Sequence, residues 1–245
     1  NNLYQAGEKV PGSSDYNIPI FSLYGNETSI YEELKDLDAI IFDIQDIGSR
    51  YYTYVSTMTQ VMRHARHIPL FIFDRPNPLG GDVSGPILQK RLSKFDYTGH
   101  GERHRDDYRS FVGMHPIPIR HGMTIGELAF MINSEGWLGF LKKRTKPLPV
   151  PDPMIYHRNL YVFKMHGWNR EMYYDQTGLK FIPPSPNIPD LNTAVMYSGI
   201  CLFEGTNISE GRGTESPFMK VGAPWIDSEK LLKQIKKQKF RGVKF

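Results

Sequence analysis

Side chains able to do chemistry gather in five short clusters of this 245-residue sequence. The densest is the run from Glu204 to Thr214. It carries two carboxylates (Glu204, Glu210), the Arg212 guanidinium, the Asn207 amide and three hydroxyls, punctuated by Gly205, Gly211 and Gly213. A second cluster runs from Asp43 to Tyr52 and includes Gln45, Asp46, Gly48 and Arg50. A third runs from Asp74 through Arg75 and Asn77 to Gly81. The fourth is Ile119-Arg120-His121-Gly122-Met123-Thr124, and the fifth is Pro184-Ser185-Pro186-Asn187. Together they supply carboxylates, arginines, amides and one histidine. That inventory suits hydrolysis of a polar, anionic substrate, and paired carboxylates are the standard equipment of glycoside cleavage. Singly, each cluster also has a structural reading: an aspartate at a strand end caps turns, and a histidine can be a hydrogen-bonded core residue.

Bulk properties narrow the classes. A formal net charge of +4 fits an anionic substrate but is not a nucleic-acid footprint. The single cysteine, Cys201, excludes an intrachain disulfide and a cysteine-based zinc site, and its apolar surroundings mark it as core. No GxGxxG is present, so dinucleotide binding has no support, and no cofactor is expected. His100, Glu102, His104, Asp106 and Asp107 could ligate metal, but they lack the spacing of a rigid element and read as a solvated loop, so no metal site is expected. No apolar run approaches the roughly 20 residues of a membrane span. The opening Asn1-Asn2-Leu3-Tyr4 reads as mid-domain sequence, which suggests a processed or truncated chain whose missing signal says nothing about export.

Certain elements must position these clusters. Ala39-Ile40-Ile41-Phe42 and Leu70-Phe71-Ile72-Phe73 are apolar runs closed by Asp43 and Asp74, and they read as strands buried on both faces. Between them, Tyr51, Tyr54, Val55, Met58, Val61, Met62 and Ala65 have helical spacing. Strand, helix, strand is a crossover that makes the strands parallel, with both aspartates at one carboxyl edge, where ligands of open α/β sheets bind. Capping boxes predict helices over 30–37 and from Thr124 through about Ser134. Tyr161 to Met165 reads as a strand, residues 18–23 as a short one, and Cys201-Leu202-Phe203 as a buried strand feeding the Gly-rich loop. Asp227 can cap a last helix over 228–238. Residues 76–118 form a long polar connection, with a charged excursion over 89–109. The Pro/Asn cluster over 182–189 suits neither helix nor central strand, and a domain boundary is placed at 180/181.

The five clusters, in this order, resemble the NamZ exo-β-N-acetylmuramidase family. The resemblance rests on Phe42-Asp43-Ile44-Gln45-Asp46-Ile47-Gly48, Asp74-Arg75-Pro76-Asn77-Pro78-Leu79-Gly80-Gly81, Pro118-Ile119-Arg120-His121-Gly122-Met123-Thr124, Pro184-Ser185-Pro186-Asn187 and the run from Glu204 to Thr214. It implies an α/β fold: a Rossmann-like, mostly parallel sheet with helices on both faces, plus a smaller C-terminal α+β domain, here incomplete, and a site in the cleft between domains. It implies release of terminal, non-reducing β-1,4-linked N-acetylmuramic acid from peptidoglycan fragments. The family pattern also has a Gly-Pro-Glu-His-Gly motif ahead of the Ala6-Gly7-Glu8 region. The excursion over 89–109 is longer than the family pattern.

On that reading, Glu204 and Glu210 are the first candidates for the working carboxylates, followed by Asp43 and Asp46, with His121 as a proton shuttle. The lactyl carboxylate of muramic acid calls for a guanidinium from Arg50, Arg75, Arg120 or Arg212. Asn77, Asn187 and Asn207 could read sugar hydroxyls or the N-acetyl group, and Asp74 joins the substrate-binding candidates. The partners are muramyl saccharides, with no nucleic acid and no membrane span. The expected location is the periplasm or outside the cell. The alternative is a binding module that holds a peptidoglycan sugar or small anion without chemistry, since such a sheet does not itself imply catalysis. A nucleotide-dependent enzyme is a third and weaker reading.

Overall fold

The apolar runs that end in Asp43 and Asp74 form β1 (Ile40–Phe42) and β2 (Leu70–Phe73) of a three-stranded parallel sheet. The computed structural model describes residues 20, 21, 23, 27–88, 109–138, 157–240 and 242. The third strand, β3, is Leu160–Phe163, and the order is β1-β2-β3. Ile40 and Phe42 pair with Leu70 and Ile72, and Leu70 and Phe73 pair with Leu160 and Phe163. In-register parallel pairing puts Asp43 and Asp74 at the same carboxyl edge.

Two helices follow from local signals. α2 (Tyr54–His64) buries Val55, Met58, Val61 and Met62, the stripe that its spacing predicts. It starts later than the expected Tyr51 because the Arg50 N–H donates to the Ile119 carbonyl at 2.8 Å, which holds the preceding residues in the loop. α3 (Ile125–Ser134) begins where expected. The Thr124 hydroxyl accepts from the Glu127 N–H, and the Glu127 carboxylate accepts from the Thr124 N–H. α1 (Glu27–Leu34) lies about one turn earlier than expected and contributes Ile30 and Leu34 to the core.

Side chains alternate across a strand, so each strand presents one residue set to each face. Phe42, Leu70 and Ile72 join α1, α2 and α3 in one apolar core, with Ile40, Leu160 and Val162 packed against it. The expected burial on both faces is not observed among the described residues. Ile41 is 62% exposed, and Phe73, Tyr161 and Phe163 are also exposed. Phe71 stacks on Tyr161 at 5.1 Å and Phe73 meets Phe163 edge-on at 5.5 Å, so that face is an aromatic ladder.

The chain divides into two compact units, Asn1–Pro186 and Asn187–Phe245. The second holds α4 (Leu191–Ile200) and α5 (Ser228–Lys237). Its β contribution among the described residues is an isolated antiparallel bridge between Ser209 and Gly222. α5 is the expected helix, with the Asp227 carboxylate accepting from the Lys230 N–H at 3.1 Å. Cys201-Leu202-Phe203 is not a strand. It forms a 3-10 turn, Cys201–Gly205, that continues α4, and Leu202 is 58% exposed. The Asp190 carboxylate starts α4 by accepting from the Thr193 N–H at 2.7 Å, so the apolar run belongs to a capped helix. The metal-capable cluster of residues 100–107, most of the 89–109 excursion and residues 18, 19 and 22 of the expected 18–23 strand lie outside the described residues, and residues 20, 21 and 23 are not in a strand.

A buried histidine links this core to pH. The Thr59 hydroxyl donates to the Val55 carbonyl at 2.8 Å and accepts from His115 Nε2 at 2.8 Å. The His115 ring stacks on Trp137 at 5.3 Å. Burial, reinforced by the nearby Arg63 and Arg109 charges, pushes its pKa down to about 3. A depressed folded-state pKa means the unfolded chain binds the proton more readily. The contribution is therefore complete above the unfolded value near 6.5 and is lost as pH falls towards 3. Wild type is expected to lose up to about 1.4 kcal/mol per pH unit more than His115→Gln in that window, as read by urea unfolding. Parallel pH profiles for the two proteins would refute this.

Candidate functional site

Three loops meet at the carboxyl edge of the sheet. Asp43 follows β1, and its Oδ1 accepts from Arg75 Nε at 2.7 Å. Gln45 Nε2 donates to the Asp46 carbonyl at 2.6 Å and the Pro76 carbonyl at 2.8 Å, tying the first loop to the second. Asn77 closes the knot. Its Nδ2 donates to the Met123 carbonyl at 3.0 Å, its Oδ1 accepts from the Leu79 N–H at 2.9 Å, and its side chain presses on Gly48. A Cβ at Gly48 would fall 2.1 Å from Asn77 Oδ1, and Gly48 has φ of +80°, so the loops approach closely only with glycine there.

Inside this knot sit Asp46 and His121, 5% and 2% exposed. Asp46 Oδ2 accepts from the Gly48 N–H at 2.8 Å and faces His121 Nε2 at 3.5 Å. His121 Nδ1 accepts from the Met123 N–H at 3.2 Å, so in the neutral ring the proton is on Nε2, aimed at Asp46. Tyr52 flanks the pair. Burial, Tyr54 and then the Asp46 charge hold its hydroxyl pKa above the usual range, while a hydrogen bond with Ser185 opposes them. Tyr54 meets the Tyr52 ring edge-on at 4.8 Å and donates to the Pro184 carbonyl at 2.7 Å. Sequence reading passed over Tyr52, because aromatics beside a helical stripe look like core. The signal was its place in the Asp43–Tyr52 cluster together with the Pro184-Ser185 motif.

The remaining candidates of this unit are engaged to different degrees. Asp74 accepts from the Thr124 hydroxyl at 2.9 Å and from the N–H groups of Gly126 at 2.8 Å and Arg75 at 3.0 Å. Burial raises its pKa against the pull of those bonds. Arg50 Nη1 donates to the carbonyls of Pro86 and Ile117 at 2.8 and 2.6 Å. Arg120 donates to the Leu79 carbonyl and the Tyr173 hydroxyl, pairs with Asp82 at 3.3 Å and lies over the Tyr173 ring.

The C-terminal unit holds its own charged group. Arg212 Nη2 is hydrogen-bonded to Glu204 Oε1, and Arg212 Nε lies 3.3 Å from Glu210 Oε1. The guanidinium sits over the Phe218 ring at 5.2 Å, and Phe218 packs edge-on against Tyr197. Burial works against the Arg212 charge, but the two glutamates outweigh it and raise its pKa. Glu210 is 9% exposed, whereas the Glu204 side chain is 38% exposed. Asn207 is exposed and Asn187 is buried. Cys201 is buried, and burial pushes its thiol up to about 11, consistent with a core residue. Among the described residues, no group of three or more His, Cys, Asp or Glu is placed to hold a metal ion. No helix among them is long and apolar enough to cross a membrane.

The parallel sheet, the helices packed on it and the polar loops at its carboxyl edge define an α/β protein. The chain belongs to the NamZ exo-β-N-acetylmuramidase family: the N-terminal family model matches residues 2–192 and the C-terminal model residues 195–245. It is 40% identical over 247 residues to the peptidoglycan β-N-acetylmuramidase NamZ of Bacillus subtilis (strain 168). That match covers 98% of this chain and 51% of the relative, so the chain spans about half the relative's length. Two solved DUF1343 family proteins from Bacteroides fragilis NCTC 9343 share the fold. One has a TM-score of 0.72 at 37% identity, covering 95% of this chain and 53% of that protein. The other has a TM-score of 0.64 at 38% identity, covering 86% and 49%.

Proposed function

We propose that this protein is a glycoside hydrolase that releases terminal, non-reducing β-1,4-linked N-acetylmuramic acid from peptidoglycan fragments. The observation that carries the reading is the 40% identity to a peptidoglycan β-N-acetylmuramidase along 98% of the chain. Cleaving a glycosidic bond needs a proton donor at the leaving oxygen and a second group that stabilises or attacks the sugar cation. Glu204 and Glu210 are assigned to this carboxylate work. Arg212 pairs with both, so one guanidinium holds the two carboxylates side by side. In the N-terminal unit, Asp43 is the exposed carboxylate, and Asp46 is the buried one, facing His121. Substrate polymer lies outside the cytoplasmic membrane, which favours an exported enzyme.

The test is incubation of the full-length protein with MurNAc-β-1,4-GlcNAc, with GlcNAc-β-1,4-MurNAc as control, followed by mass spectrometry. Free MurNAc is expected from the first alone. Glu204→Gln and Glu210→Gln are each expected to lower kcat by about 100-fold or more. Full turnover in both would remove the glutamates from the mechanism. A folded protein that binds MurNAc and cleaves neither disaccharide would be the non-catalytic module.

A further inference from the structure

We infer that Arg75 is the residue that recognises the lactyl carboxylate, and so separates muramyl from glucosaminyl sugars; this rests on the muramyl reading above. Four guanidiniums are candidates, and three of them are occupied. Arg50 is turned onto the carbonyls of Pro86 and Ile117 and so braces a loop. Arg120 is divided between the Leu79 carbonyl, the Tyr173 hydroxyl and Asp82. Arg212 already holds two carboxylates, Glu204 and Glu210.

Arg75 differs. Among the described residues its guanidinium makes one hydrogen bond, from Nε to Asp43 Oδ1 at 2.7 Å, and its backbone N–H donates to Asp74. Its Nη1 and Nη2 donate to no described residue, and the side chain is 36% exposed. A guanidinium held at Nε keeps the opposite edge of its fork, Nη1 with Nη2, for a second carboxylate. Asp43 thus works as an orienting group. It fixes the plane of the guanidinium, so less side-chain freedom is lost when an anion docks.

The place is right as well. Arg75 follows β2 at the carboxyl edge of a parallel sheet, where ligands of this architecture bind. The neighbouring backbone is pinned by the Gln45 bond to the Pro76 carbonyl and by the Asp74 bonds to Thr124 and Gly126. The Asp74 carboxylate is turned into that scaffold and not outward as a rival anion. Burial raises the Tyr174 hydroxyl pKa, and the Arg75 charge opposes that rise. A free lactyl carboxylate on the sugar ring is the matching chemistry, and GlcNAc, which lacks the lactyl ether, has nothing to offer the fork.

The experiment compares wild type, Arg75→Gln and Arg75→Lys in the full-length protein. The substrates are 4-nitrophenyl β-MurNAc and 4-nitrophenyl β-GlcNAc, which differ only in the lactyl ether. Loss of a charged bidentate contact predicts a fall of about 10- to 100-fold in the MurNAc-over-GlcNAc ratio of kcat/KM for Arg75→Gln. Most of it should lie in KM for the muramyl substrate, with the glucosaminyl substrate changed by no more than about threefold. Arg75→Lys keeps the charge without the fork and should fall between the two. Calorimetric titration with free MurNAc and free GlcNAc reads the same preference without turnover. If wild type cleaves neither substrate, the hydrolytic reading fails, and the binding preference and its loss in Arg75→Gln decide the seat alone. An equal fall on both sugars, or an unchanged ratio, overturns the assignment.

Discussion

The Asp46→Asn variant of the full-length protein is expected to lose about 100- to 1,000-fold in kcat while unfolding within about 1 kcal/mol of wild type. Both contacts of this carboxylate converge on one oxygen. Oδ2 accepts from the Gly48 N–H and faces the Nε2 of His121, and Oδ1 is buried with no hydrogen-bond partner among the described residues. An asparagine can place its own carbonyl oxygen where Oδ2 sits, so the loop closure survives and the negative charge goes. Asp46→Ala does the opposite to the scaffold. It leaves the Gly48 N–H buried with no acceptor and removes the carboxylate that His121 Nε2 faces, which costs about 1–3 kcal/mol. Urea unfolding and turnover measured on both variants separate charge from scaffold. Full turnover in Asp46→Asn would reduce Asp46 to a loop-closing residue, and the chemistry would then rest with the two glutamates.

Gly122→Ala is expected to destabilise the protein by about 3–5 kcal/mol, the largest single effect on folding in the site. Gly122 has φ of +66°, and a Cβ there would lie 2.4 Å from the Gly81 carbonyl oxygen and 2.9 Å from its carbon. Those are backbone atoms, pinned in turn by the Gly81 N–H bond to the Arg170 carbonyl at 2.8 Å. The Gly122 carbonyl also accepts from Arg170 Nη1 at 2.5 Å, so a shift there disturbs a second contact. Gly178 supplies the control. Its φ is +71°, but a Cβ would meet nothing within 4 Å, so Gly178→Ala isolates the left-handed backbone cost of about 1 kcal/mol. The difference between the two variants measures the close approach of the loops around His121. Equal costs would mean that the Gly81 backbone yields.

Local signals in the sequence located much of the N-terminal fold. Apolar runs closed by Asp43 and Asp74, with a helical stripe between, specify β1, α2 and β2. The Thr124–Glu127 spacing marks the start of α3, and Asp227 that of α5. Where the reading went astray, two structures competed for one pattern. Cys201-Leu202-Phe203 is a short apolar run, which periodicity alone cannot divide between strand and helix. The deciding cue was Asp190 before Leu191, an N-cap that makes the run the tail of α4. Burial of the strands was overestimated because a continuous apolar run does not say what covers each face.

The site was legible as a set of residue types and illegible as a set of bonds. The clusters around Asp43, Asp74 and His121 do meet, but what joins them is long-range. Gln45 reaches a carbonyl 31 positions away, and Asn77 reaches one 46 positions away. No local spacing reports such contacts. Nor could the sequence rank the four arginines, since their ranking depends on which carbonyls and carboxylates each one finds.

The first turn of a helix such as α3 presents unpaired N–H groups and the positive end of its dipole, a natural berth for phosphate. Here the berth has a resident anion. The Asp74 carboxylate takes the Gly126 N–H and the Thr124 hydroxyl at the head of α3. A nucleotide arriving at that helix would have to displace a carboxylate built into the end of β2. On the Arg75 proposal, the charge of a ligand at this sheet edge is met by a guanidinium instead of a helix terminus.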